Sequence, residues 1–195
     1  MEFNFEEEIV LEDERVLLRP LHKEDFNDLL PIAIENKALT QFSPSQIYSR
    51  ELLEMYIDNA LLDRKNNTRY AFVIFDKQQQ QFAGSTSFAA ISNKDRRLEI
   101  GWTWIGKSFQ RTGLNRHCKF LLLQYAFDTL KFERVELKTD ERNIQSRTAI
   151  EGIGAKQEGI LRSHTVMSDG FRRNTVYYGI LRNEWDLFKK NFFTR

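Results

Sequence analysis

Apolar residues recur along this chain in two rhythms. Between His22 and Leu39 they stand at Phe26, Leu29, Leu30, Ala33 and Ile34; between Arg50 and Leu62 they stand at Leu52, Leu53, Tyr56, Ile57, Ala60 and Leu61. Both spacings collect them on one face of a helix. Ser43 and Pro44 separate the two helices, and Asn66 with Asn67 closes the second.

From Arg69 the rhythm changes. Residues 69–75, 82–91 and 98–105 are nearly continuous apolar and aromatic runs, joined by the short polar turns 76–80 and 92–95. Three such runs predict an antiparallel meander. Upstream, Val10 and Leu11 face residues 15–18 across an acidic turn, and Pro20 ends that first strand.

Residues 113–131 carry two apolar stripes. Leu114, Cys118, Leu121, Leu122 and Tyr125 form one, and Phe120, Leu123, Phe127 and Leu130 form the other. A helix apolar on both sides is predicted to lie between two layers. Residues 134–138 alternate as a strand, and 146–153 read as a short helix stopped by Gly154. Residues 155–162 and 175–181 are the last strands. Residues 183–193 form a terminal helix with Trp185, Phe188 and Phe192 on one side. The expected fold is α/β, an α+β mixed sheet in a single domain over residues 1–195, with the strands around one central buried helix.

Composition narrows the function. Twenty-nine basic residues against 28 acidic ones leave a net charge of +1, which argues against a nucleic-acid binder. One cysteine, Cys118, excludes an intrachain disulfide framework and suits a reducing cytoplasm. The acidic N-terminus has no basic n-region or apolar h-region of a signal peptide, and no apolar run reaches the roughly 18 residues of a membrane span. His22, His117 and His164 lack metal-ligand spacing, so no metal is expected.

The chemistry concentrates where the third meander strand meets the buried helix. There the chain reads Gln110, Arg111, Thr112, Gly113, Leu114, Asn115. A strand, a glycine turn and a helix N-terminus present backbone N–H groups without intrahelical partners, a natural phosphate site. Arg111 and Arg116 add full charges beside it.

This order of elements, with the Gln-x-x-Gly-x-Asn turn, Asn143 and Ser146 about thirty residues on, and Gly154-Ala155 after the short helix, resembles the GNAT acetyltransferase superfamily. Within it the chain looks most like the ribosomal-protein N-acetyltransferases (RimJ/RimL type). The resemblance spans a core of about residues 15–185. It implies an acetyl-CoA-dependent N-acetyltransferase, with the pyrophosphate on the backbone of residues 111–115. The pantetheine arm would lie along Thr103, Trp104 and Ile105, where their strand splays from the strand of residues 135–139. Asn143 and Ser146 would bond it from the other side. A catalytically silent acyl-CoA-binding domain of the same fold is the alternative.

Glu99, eleven residues before Gln110, matches the position of the general-base glutamate in the histone-acetylating members of the superfamily; the alternative is a solvent-facing strand residue paired with Arg96, Arg97 or Lys138. Glu136, on the partner strand, is the second candidate. The tyrosine that often serves as acid on the short helix is replaced by Ile150, leaving Tyr177, Tyr178 or water. Phe42, Tyr48 and Phe171 mark the loops expected to receive the acceptor, a protein N-terminal α-amine or a small amine. Monomer and homodimer both remain open.

Overall fold

The computed structural model describes residues 1–194. Its strands are β1 (Leu11–Glu12), β2 (Val16–Pro20), β3 (Arg69–Asp76), β4 (Gln81–Ser92), β5 (Arg97–Ile105), β6 (Arg134–Asp140), β7 (Lys156–Val166) and β8 (Arg172–Leu181). They form one eight-stranded sheet in the order β1-β2-β3-β4-β5-β6-β8-β7. Every neighbouring pair is antiparallel except β5 and β6. The meander expected from residues 69–105 is β3-β4-β5.

Helices cover both faces. On one side lie α1 (Phe26–Glu35) and α2 (Arg50–Lys65), enclosing Leu29, Leu53, Tyr56, Ile57, Val73 and Trp104. The other side carries α3 (Leu114–Gln124), α4 (Ile144–Gly152) and α5 (Arg182–Phe188) over the larger core. The strands do not surround α3, but it is covered on both sides, as its two stripes suggested. One stripe meets the sheet, and the other is covered by the chain's own C-terminus. Phe120 touches Trp185 at 5.5 Å and Phe192 at 5.2 Å between ring centroids.

The helix expected over residues 22–39 is broken into a 3-10 turn (Lys23–Asp25), α1 and a second 3-10 turn (Lys37–Thr40). Asn36 breaks it. Its backbone is extended, and its side-chain oxygen accepts the Ala38 N–H at 3.0 Å, restarting the chain as a new cap. α2 starts at a serine cap, with Ser49 Oγ accepting the Leu52 N–H. The expected run to Lys131 stops being α-helical at Tyr125, where a π turn (Tyr125–Thr129) begins. No helix among the described residues is long and apolar enough to cross a membrane.

Candidate active site at the opening between β5 and β6

The two parallel strands pair for three residues only. Arg97 faces Arg134, Leu98 faces Val135, and Glu99 faces Glu136. Beyond that point β5 continues to Ile105 along β4, and β6 continues to Asp140 along β8. The facing edges of β5 and β6 are left unpaired, a wedge of backbone donors and acceptors inside a sheet. Such groups cost free energy unless something pairs them.

A bulge in β5 accompanies the opening. Ser85 faces Trp104 and Ser87 faces Gly101, so Trp102 and Thr103 share one partner, Thr86. Trp102 takes the left-handed conformation, with φ +50°. The extra residue exchanges the faces of everything beyond it. Trp104 thereby enters the core under α2, 6.2 Å from the Tyr56 ring, while Trp102 is half-buried against the same core beneath Arg69. Thr103 is turned to the α3 side and stays exposed.

The predicted phosphate turn sits at the wide end of the wedge. Gly113 caps α3 with φ +89°, which glycine adopts without strain, and Arg111 has φ +60°. Among the described residues the N–H groups of Arg111, Thr112, Gly113 and Asn115 have no hydrogen-bond acceptor, and a Cβ on Gly113 would meet nothing within 4 Å. This is an open cluster of donors at a helix N-terminus. Asn115 adds a buried side-chain oxygen that has no partner among the described residues.

Several predicted residues reach the site only through the backbone, or hold it in shape. Leu114 is fully buried and Ile105 nearly so. The Ile105 carbonyl accepts from Gln110 Nε2 at 3.0 Å, and Gln110 Oε1 accepts from Gln145 Nε2 at 3.3 Å. Gln110 thus ties the strand end, the turn and α4 together. Asn143 Oδ1 caps α4 by accepting the Ser146 N–H at 3.0 Å. Thr112 Oγ1 receives Arg15 Nη2, which also binds Asp76. Arg116 turns away from the phosphate turn, contrary to expectation. Its Nε donates to the Phe192 carbonyl at 2.8 Å.

Glu99 and Glu136 differ in their surroundings. Glu99 is 8 % exposed, and its Oε2 accepts from Lys138 Nζ at 2.7 Å. Its Oε1 lies over Gly101, where an added Cβ would stand 3.2 Å away. One oxygen is therefore paired and the other remains available. Burial works against the Lys138 charge, yet the Glu99 bond keeps the ammonium above the usual lysine range. Glu136 is tied into an arginine network, 3.0 Å from Arg134 and 3.9 Å from Arg97.

Around this pair, on the sheet face that α1 and α2 leave uncovered, stand Tyr177 and Arg173. Lys138 Nζ is 4.8 Å from the Tyr177 ring centre. Arg173 Nη1 donates to the Phe42 carbonyl. Tyr178 points the other way, its hydroxyl held between Arg147 and Glu151 on α4. Arg142 stacks 3.8 Å from the Phe171 ring centre and 5.6 Å from that of Phe42, joining two of the expected acceptor loops. Tyr48 is occupied by Lys37. A cleft of about 370 Å³, lined by Leu39, Phe42, Gln110, Arg142, Asn143 and Gln145 among others, opens there.

Sequence reasoning missed two residues. Lys119 lies buried under the bulge, its Nζ 2.7 Å from Thr103 Oγ1; the available signal was a lysine between Cys118 and Phe120 on a helix apolar on both sides. Arg15 was visible only as a strand residue. His117 is not isolated as its spacing implied, since its Nδ1 meets Asp13 Oδ2 at 2.7 Å, with Glu14 near by. The other Asp13 oxygen caps the turn by accepting the Arg15 and Val16 N–H groups.

A mixed sheet that parts at one parallel pair, with a donor-rich helix start at the gap, defines an α/β class suited to a long ligand with phosphate at one end. Residues 15–156 match the family model described as an acetyltransferase (GNAT) domain. The chain is 33% identical over 103 residues to YdaF of Bacillus subtilis, whose name places it among ribosomal N-acetyltransferases; that match covers 53% of this chain and 55% of YdaF. It is 24% identical over 177 residues to the uncharacterized N-acetyltransferase p20 of Bacillus licheniformis, covering 88% of this chain and 96% of that one. A crystal structure of a GCN5-related N-acetyltransferase from Brucella melitensis superposes with a TM-score of 0.86 at 28% identity, over 95% of this chain and 84% of the other. The chain belongs to the GNAT acetyltransferase family, and with it to the acyltransferases.

Proposed function

We propose that this protein is an acetyl-CoA-dependent N-acetyltransferase of a single domain, acting on a primary amine. The observation that carries the reading is the row of partnerless N–H groups at Arg111, Thr112, Gly113 and Asn115, set at the mouth of the unpaired wedge between β5 and β6. Those donors suit a pyrophosphate. The free edges of β5 at Thr103, Trp104 and Ile105 suit the amides of a pantetheine arm, with Asn143 and Ser146 opposite. The thioester supplies an activated acetyl group with a good leaving thiol.

The chain's own residues supply the rest. Glu99, through its unpaired Oε1, accepts the proton that the attacking amine gives up. Lys138 holds the other oxygen and orients the carboxylate. Main-chain N–H groups on the free edge of β5 face the oxygen on which negative charge develops. Glu136 is the weaker candidate, because the arginines on both sides already engage it.

The acceptor is best sought among protein N-termini. An α-amine has an ordinary pKa near 7.7–8.0, against about 10.4 for lysine, so it demands less of its base. The name of YdaF, a ribosomal N-acetyltransferase, points to a ribosomal acceptor for that relative. Turnover of acetyl-CoA against a panel of N-terminal peptides and small amines tests the proposal. Amine-dependent release of free thiol supports it, and tight binding without turnover on any amine would leave a silent acyl-CoA-binding domain.

A further inference from the structure

Lys119 stands out among the buried charges. It is 6 % exposed, and no carboxylate among the described residues pairs with it. β4 presents Thr86 to this region and β5 presents Thr103; on α3 the adjacent Cys118 has a thiol that burial pushes up to about 12. Among the described residues no other titratable group acts on its charge. An unpaired ammonium is costly to bury, and this one is aimed at a single atom, the Thr103 hydroxyl.

That hydroxyl sits at the β5 bulge. Lys119 Nζ donates to Thr103 Oγ1 at 2.7 Å, and Thr86 Oγ1 lies 2.8 Å from the same oxygen. With Thr86 as donor, both lone pairs of Thr103 are filled from within the protein. Its own hydrogen is left only a long contact, 3.5 Å, to the Gly101 carbonyl. Thr103 is exposed, on the stretch of β5 that has parted from β6. A hydroxyl so arranged keeps its hydrogen for an outside acceptor, with a cation behind it.

We infer that Thr103 protonates the departing CoA sulfur and that Lys119, acting through Thr103, is the positioning residue and proton source for that step. The inference rests on the acyl-CoA reading of the wedge, and it fills the place left by Ile150. As the acyl carbon–sulfur bond breaks, its electron pair stays on sulfur. Thr103 passes its proton to that sulfur, and Lys119 passes one to the Thr103 oxygen. The neutral amine of Lys119 regains its proton from solvent after the thiol leaves. The proton lost by the acceptor amine goes to Glu99, so the transfers balance.

The test compares wild type, Lys119→Met and Thr103→Val, all first titrated with acetyl-CoA by calorimetry. In both variants kcat should fall on the order of a hundredfold, with KM for acetyl-CoA changed little. Wild-type kcat should decline as pH rises past about 8, where burial without a countercharge places the Lys119 ammonium, and Lys119→Met should lack that limb. Should Lys119→Met fail to fold, Thr103→Val keeps the lysine and carries the test. Normal acetyl-CoA binding together with an unchanged kcat in Thr103→Val would overturn this inference alone. Absence of CoA binding to wild type would overturn the acyl-CoA reading itself.

Discussion

Glu99 and Lys138 face each other across the last point at which β5 and β6 are joined, with Glu99 Oε2 2.7 Å from Lys138 Nζ. The pair marks the apex of the wedge, and it holds a buried carboxylate with one oxygen spoken for and one open. It also reconciles two readings of Glu99, since an ion-paired residue and a proton acceptor use different oxygens of the same group.

Glu99→Gln keeps the shape and removes the basic oxygen. Turnover should fall on the order of a hundredfold, while the calorimetric affinity for acetyl-CoA stays near wild type. A pH–rate profile is the deciding record. If it is unchanged, proton removal belongs to Glu136 or to water.

Gly113→Val tests the phosphate turn. Its left-handed φ of +89° is strained for valine, and the side chain would enter the open space over the donor cluster. The variant should lose measurable acetyl-CoA binding while its circular dichroism stays native. Wild-type affinity in a folded Gly113→Val protein would move the phosphates elsewhere.

Lys119 gives a pH dependence of stability whose sign can be worked out. Burial brings its pKa in the folded protein down to about 8, below the ordinary 10.5 of the unfolded chain. Between those values the unfolded state binds more protons, so stability rises with pH. Below about pH 8 the folded state carries the full penalty, up to about 3 kcal/mol. Denaturant titrations should show Lys119→Met more stable than wild type at pH 7, with the gap closing toward pH 10. A constant gap would mean that the lysine is not held under strain.

Trp185 anchors the C-terminal segment. It is fully buried, stacks at 5.9 Å on Phe127, and its Nε1 donates to Asp128. Trp185→Ala should cost about 3–5 kcal/mol in equilibrium unfolding. A loss under about 1 kcal/mol would show that this aromatic cluster is not a support for α3.

The two rhythms of apolar residues located most elements, because periodicity reports burial directly. The meander and α2 follow that reading; the donor-rich turn was marked by Gly113 between a strand and a helix, and the splayed strand pair was implied only by the family resemblance. What the sequence hid was decided by single backbone positions. Asn36 divides a helix that apolar spacing alone makes continuous. The bulge at Trp102 exchanges faces beyond it, and no alternation rule anticipates an extra residue. Partners distant in sequence were equally hidden. Arg116, beside the turn in sequence, is drawn to the Phe192 carbonyl 76 residues away, while Lys119 is brought under Thr103 only by the packing of α3 on the sheet.

Calorimetric titration of wild-type protein with acetyl-CoA, with CoA and dephospho-CoA as comparators, bears most directly on the central reading. Micromolar binding should appear, accompanied by stabilisation of about 2.7 kcal/mol at a hundredfold excess over Kd, and Gly113→Val should abolish both. Absence of binding by a well-folded sample would contradict the assignment of the wedge and of its donor cluster to an acyl-CoA.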